Sequence, residues 1–408
     1  MRLLHTSDWH LGQSFCGHTR QREHDGFLAW LATTAIEQEV DAVLVAGDLF
    51  DTSMPPSFAR QQLNDFIDRM QGSGIKMILL GGNHDSPATL GEGQQLLARL
   101  STLVIPDVSA NPADQVFVID RRDGTPGMVL CGIPFVRARH VMRSVPGQSH
   151  VEKSQALMDG LARYYADTYL AAVAKRSSLD MQLPIVATGH LTTLGASSSE
   201  SVREIYVGSL GAFPTNLLPP ADYIALGHIH RPQVVDGQEH IRYCGSPVTL
   251  SFDELDQAKQ VLLIDFHDGQ RTSIQSVQVP VFQPLARVQG SIEQLPERLA
   301  AASAGQSPDL PVWVEVTVEG GDYLPDLVTR VNAMVEGLPL EVLRLRKARD
   351  PSAAQAIEPQ AMTLDELTPE DVFDQVIAAR GNVPEERRPT VNGLFREVLA
   401  EVRAGDAV

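Results

Sequence analysis

The sequence predicts an α/β fold: a mixed, layered sheet, followed by a smaller α+β domain and C-terminal helices. Three observations predict it. Five short apolar runs, at 3–6, 42–46, 77–80, 185–188 and 223–226, read as strands buried on both faces. Stretches with apolar residues at helical spacing, 27–38 and 58–71, separate the first three. At 408 residues, 43% of them hydrophobic, the chain has material for two or three domains.

Further along, 115–120 and 128–133 flank Arg121-Arg122-Asp123-Gly124-Thr125-Pro126-Gly127, where the Asp-Gly pair predicts a tight hairpin turn. From 246 the pattern is strand-rich, with 261–266 and 273–279 joined by a His267-Asp268-Gly269-Gln270 turn. The first domain, 1–280, closes there. After Pro280 and Pro284 a β-α-β-α-β pattern (285–289, 292–302, 312–318, 324–335, 341–347) predicts a second domain over 284–348. A linker, 349–362, precedes a C-terminal segment, 363–408, whose two helical stretches (369–379 and 384–402) are too few to make a core and are expected to dock elsewhere.

Composition excludes some functions. A formal charge of −18 argues against a simple nucleic-acid binder, since neutralising phosphates ordinarily takes a basic surface. That objection weakens if clustered carboxylates hold divalent cations, or if a partner carries the basic surface. Three separated cysteines, Cys16, Cys131 and Cys244, form neither a disulfide framework nor a thiolate metal site and are expected to be buried thiols. The first residues show no charged-then-apolar leader and no apolar run reaches membrane-spanning length, which predicts a cytoplasmic protein with no membrane association. No Gly-x-x-x-x-Gly-Lys-Ser/Thr loop is present, so nucleotide hydrolysis by that route is excluded.

The chemistry lies at the ends of the apolar runs. Asp8 and His10 follow the first, Asp48 the second, Asn83 and His84 the third, His190 the fourth, and His228 and His230 the fifth. Strand carboxyl ends are where ligands gather in α/β sheets. Each motif alone says little: Asp48 suits a helix cap and Asn83 a turn, and satisfied buried histidines are common. Independent caps and turns, however, need not all choose metal-binding side chains. Nitrogen and oxygen donors without thiolate suit manganese, magnesium, iron or zinc. Asp48 is the natural bridge between two ions, and such a pair serves phosphate ester hydrolysis. His84 is placed to protonate the departing oxygen, with Asp51 orienting its ring.

Asp8-Trp9-His10, Gly47-Asp48-Leu49-Phe50-Asp51, Gly82-Asn83-His84-Asp85, Gly189-His190 and Gly227-His228-Ile229-His230, in this order, resemble the motifs of the calcineurin-like metallophosphoesterases. The surrounding words, from His5-Thr6-Ser7 to Tyr243-Cys244-Gly245-Ser246-Pro247, are similar to the bacterial SbcD nuclease subunits. The resemblance implies a four-layer α/β/β/α sandwich with a DNA-capping second domain. It implies two manganese ions, one on Asp8, His10, Asp48 and His230 and the other on Asp48, Asn83, His190 and His228, with His84 the catalytic histidine.

It further implies a DNA nuclease, with double-strand exonuclease and hairpin or single-strand endonuclease activity, working in repair, recombination and replication. The partner implied is an SbcC-type ATPase with coiled coils, in a heterotetramer holding a homodimer of this subunit. The 369–402 segment, with Val372, Phe373, Val376 and Ile377 as an apolar stripe, is expected to dock on the coiled-coil base. Arg137, Arg139, His140 and Arg143, and the run Arg344, Arg346, Lys347 and Arg349, are candidate DNA contacts. The alternatives are a phosphoprotein phosphatase or cyclic-nucleotide phosphodiesterase on the same core, and a non-catalytic scaffold of an ATPase complex. Against the phosphatase, Asp51 precedes Thr52 where those enzymes usually show Arg-Gly. Against the scaffold stands the cost of burying carboxylates and imidazoles without use.

Overall fold

The computed structural model describes residues 1–142, 148–202, 212–319, 324–348, 373, 391 and 393–395. All five apolar runs are strands. The first three lie side by side and parallel, Arg2–Thr6 beside Ala42–Val45 beside Lys76–Leu80, with Thr102–Ile105 outside. Gln260–His267 and Gln270–Gln278 extend the other edge antiparallel, giving six strands. The second sheet also has six: Ile185–His190 and Tyr223–Gly227 are central, between Gln238–Tyr243 and the hairpin Pro126–Cys131 with Val116–Asp120. Both sheets are mixed, as expected.

Strand periodicity explains the layers. Leu4, Val43, Val45, Met77 and Leu79 point to one face of the first sheet, where helices Gln21–Glu37 and Ser57–Gly72 supply Phe27, Leu31, Phe66 and Met70. The alternate residues Leu3, Ala42, Leu44, Ile78 and Leu80 meet Met128, Leu130, Val186, Tyr223 and Ala225 of the second sheet. On that sheet's far face, Val129, Ile185, Ala187, Ile224 and Leu226 pack against Leu157, Leu161 and Tyr165. Those three belong to a 29-residue helix, His150–Ser178, that completes an α/β/β/α sandwich. This helix is absent from the sequence expectations. It begins with a full capping box, Ser149 with Glu152, but it carries Gly160 and exposes Val151 and Leu170, which blurs its apolar stripe. Gly160 is needed, because a Cβ there would meet the carbonyl of Val141 at 2.4 Å.

Residues Met1–Lys347 form one unit and Ala348–Val408 another. Within the first, Leu285–Ser291, Val312–Glu319 and Leu340–Lys347 make a parallel three-stranded sheet with its own core, closed by Leu295 and Leu299 of one helix and Leu327 and Val331 of another. Trp313 stacks on Phe15 with ring centroids 6.0 Å apart and joins Phe252, linking this sheet to the sandwich. In the second unit Phe373 stacks on Phe395 at 3.9 Å; Val372, Val376 and Ile377 of the expected stripe lie outside the described residues. Cys131 and Cys244 are buried, but Cys16 is exposed at a turn, contrary to expectation. No helix among the described residues is long and apolar enough to cross a membrane.

Candidate metal centre

The chain leaves the first two central strands without separating. Asp8 N donates to Gly47 O at 3.0 Å, His10 N to Asp48 O at 3.0 Å and Leu11 N to Leu49 O at 2.9 Å, so the two exits stay paired beyond the sheet. The pairing holds three non-glycine residues left-handed: Asp8 at φ 54°, His10 at 47° and Asp48 at 50°. His228, leaving the fifth run, sits at φ 91°. Such conformations cost roughly 1–3 kcal/mol each and persist where surroundings over-determine them. Here the restraints are identifiable: His228 N donates to Asp8 Oδ1 and His84 N to Asp48 Oδ1, both at 2.9 Å.

Glycines make the room. A Cβ on Gly82 would lie 2.1 Å from Asp48 Oδ1, one on Gly47 2.1 Å from His190 Nδ1, and one on Gly227 1.9 Å from Ala46 O. What approaches Gly82 and Gly47 is a neighbouring site residue, and at Gly227 it is the carbonyl of Ala46, just before Gly47.

Side chains from all five exits converge. Carboxylate and imidazole atoms of Asp8, His10 and His230 lie within 4.8 Å of one another, as do those of Asp48, His190 and His228, and those of His10, Asp48 and His84. Asn83 Oδ1 joins the second group, 2.9 Å from His190 Nε2 and 3.1 Å from His228 Nδ1. Asp48 stands between the groups, with Oδ2 3.1 Å from His190 Nε2 and 3.8 Å from His10 Nε2. Burial opposes charge here, yet Asp48 raises the pKa of His190 to about 9, and the surrounding imidazoles hold Asp48 well below the carboxylate range. Burial and the charge of His190 push His228 down.

Buried polar atoms without hydrogen bonds are expensive. Asp48 Oδ2, His10 Nε2 and His228 Nε2 are three of them, and all lie in this cluster. Orphaned acceptors, mixed oxygen and nitrogen donors, no thiolate and strained backbone fit a pair of divalent cations.

Asp51 touches two of the imidazoles. Its backbone carbonyl contacts His84 Nδ1 at 2.7 Å, and its Oδ1 lies 3.2 Å from His10 Nδ1. Three contributors are missed by the sequence. Asp85 accepts from the backbone of Leu49, Phe50 and Gly82, and burial together with Asp48 raises its pKa to about 6. Ser201 and Glu254 stand behind His230. Asp85 adjoins His84 in sequence, a signal that could have found it; Ser201 and Glu254 carry no motif.

Residues 1–232, more than half the chain, match the calcineurin-like phosphoesterase family. This chain belongs to that family. Residues 281–380 of the phosphoesterase match a second family, described as the type 5 capsule protein repressor C-terminal domain. The phosphoesterase is 45% identical to the SbcD subunit of the SbcCD nuclease of Escherichia coli K12, over 98% of each chain. The SbcD subunit of Rhodobacter capsulatus is 31% identical over 91% of this chain and 93% of its own, and that of Bacillus subtilis 26% identical over the full length of both. The phosphoesterase is thus an SbcD-type member of its family.

Arg137 lies beside the centre: it donates to Asp85 O at 3.2 Å and lies over the Phe135 ring, which meets His190 edge to face. Arg139 and His140 gather with it around Asp107; Arg143 lies outside the described residues. Arg344 and Arg346 converge with Arg287 on Glu315 in the three-stranded sheet, and Arg349 lies outside the described residues.

Proposed function

We propose that this chain is the manganese-dependent nuclease subunit of a complex with an SbcC-type ATPase, hydrolysing DNA phosphodiesters at duplex ends and hairpins. The observation that carries the proposal is the convergence of Asp8, His10, Asp48, Asn83, His190, His228 and His230, all but Asn83 buried and four of them on left-handed backbone, with acceptor atoms left over. Asp8, His10, Asp48 and His230 would hold one cation, and Asp48, Asn83, His190 and His228 the other. Bound cations supply Lewis acidity, making water reactive near neutral pH and offsetting charge on phosphoryl oxygens. His84, its Nδ1 held by the Asp51 carbonyl, would protonate the leaving oxygen. Asp51 steadies His10 with its carboxylate and His84 with its backbone. Arg137, fixed by Asp107 and the Asp85 carbonyl, would meet a substrate phosphate.

Identity to the SbcD subunits over the whole chain supports an ATPase partner that residues 363–408 would engage, the 284–348 domain capping the DNA, and a homodimeric, cytoplasmic assembly. The test compares manganese-dependent cleavage of a hairpin DNA and of a phosphopeptide, with and without the ATPase. Hairpin cleavage that disappears in Asp48→Ala and His84→Ala, while both variants still bind the ATPase, is the expected result. Equal or better activity on the phosphopeptide would favour the phosphatase, and undiminished cleavage by both variants would end the proposal.

A further inference from the structure

Two imidazoles of the cluster are held by the nitrogen turned away from Asp48. His190 Nδ1 lies 3.0 Å from Ala46 O, and His10 Nδ1 lies 3.2 Å from Asp51 Oδ1. For His230 the restraint is a relay. Its Nδ1 is 2.6 Å from Ser201 Oγ and 3.4 Å from Glu254 Oε1, and Ser201 donates in turn to that same Oε1.

Glu254 is 0% exposed, and an isolated carboxylate there would be untenable. It is surrounded by donors instead. Ser199 Oγ reaches Oε1 at 2.8 Å, while Leu250 N reaches Oε2 at 3.0 Å and Lys259 Nζ at 2.6 Å. The same ammonium donates to Ser246 Oγ at 3.0 Å and to the carbonyl of His230 at 3.3 Å. Paired with the Lys259 ammonium and ringed by Ser199, Ser201 and the Leu250 N–H, the carboxylate is an acceptor at both oxygens.

An ionised carboxylate only accepts. Ser201 must therefore spend its proton on Glu254 and offer a lone pair to the ring, which makes Nδ1 the protonated nitrogen of His230 and leaves the Nε2 lone pair for a cation. We propose that Glu254 is a positioning residue for the cation site of Asp8, His10 and His230, acting through the Ser201 hydroxyl to fix the tautomer and ring plane of His230. This rests on the two-cation reading above. Outer partners of ligating histidines typically change metal affinity 10- to 100-fold.

A purely structural Glu254 would serve only to neutralise Lys259. Ser201→Ala separates the two roles, because it removes the relay and leaves the Glu254–Lys259 pair in place. Manganese binding to the metal-stripped full chain, followed by electron paramagnetic resonance and calorimetry, is the measurement. The parent is expected to bind two ions. Ser201→Ala should melt like the parent and bind one ion about 10- to 100-fold more weakly, with the other unchanged. Ser201→Thr, which keeps the hydroxyl, should restore parent affinity, and Glu254→Gln should show at least the loss seen in Ser201→Ala. If Glu254→Gln does not fold, Ser201→Ala decides alone. Two ions bound with parent affinities by Ser201→Ala would overturn the inference and leave the proposed function standing, whereas a parent that binds no manganese would overturn both.

Discussion

The backbone N–H of His228 donates to both carboxylate oxygens of Asp8, at 2.9 and 3.1 Å, across 220 residues of sequence. One side chain thereby joins the first strand exit to the fifth. Asp8→Ala should leave a buried donor unsatisfied, at a cost of about 1–3 kcal/mol, and release the strained backbone at His228. The expected result is a lower urea midpoint together with loss of manganese-dependent cleavage. Asp8→Asn, which keeps an acceptor, should recover part of the stability. An alanine variant as stable as the parent would contradict the bracing role.

Two glycine substitutions should behave oppositely. Gly82→Ala puts a methyl 2.1 Å from Asp48 Oδ1, so the carboxylate must move. A displacement of that size at a catalytic centre costs on the order of 100-fold in rate. Gly72→Ala, at the end of a helix with nothing within 4 Å, should be neutral or slightly stabilising. Steady-state rates and melting curves of the two variants check this, and similar rates for both would refute the steric argument.

Asp85 accepts from Leu49 N at 3.1 Å, Phe50 N at 3.0 Å and Gly82 N at 2.9 Å, tying the second exit to the third. Asp85→Ala should destabilise by at least about 2 kcal/mol, since several buried donors lose their acceptor at once. Manganese affinity should fall with it, because Asp48 and Asn83 lie on the segments Asp85 connects. Chemical denaturation and calorimetric titration test the two effects, and unchanged values in both would remove Asp85 from the design.

His5 is fully buried, with Nδ1 2.8 Å from Tyr223 Oη, and burial lowers its pKa to about 3. An unfolded imidazole takes up a proton below about pH 6.5, while the folded one stays neutral until about pH 3. The contribution of this group to stability is therefore complete above pH 6.5 and is lost as pH falls across that window, by about 1.4 kcal/mol per unit. His5→Gln should make unfolding free energy flatter between pH 6.5 and 5. Identical slopes in parent and variant would show that His5 does not set the acid sensitivity.

Much of the fold and the site is legible in the residues themselves. Apolar runs too short for helices, four of the five closed by glycine, mark the central strands, because a strand covered on both faces has no polar side to show. Ligand types at every run's end mark the centre, since few structural roles demand Asp, Asn and His in that succession. The His150–Ser178 helix is hidden because its Gly160 answers to the carbonyl of Val141 and not to helix propensity.

The chain by itself determined which side chains stand at strand ends and what chemistry they can perform, since both follow from periodicity and donor type. Only the tertiary structure decided which neighbour holds which atom. Asp51 serves His84 through its carbonyl and His10 through its carboxylate, and Glu254 reaches His230 through Ser201. Hydrogen bonds are set by distance and direction in space, and these partners come from turns and a single-turn 3-10 helix, Phe252–Glu254, where sequence spacing carries no record of either.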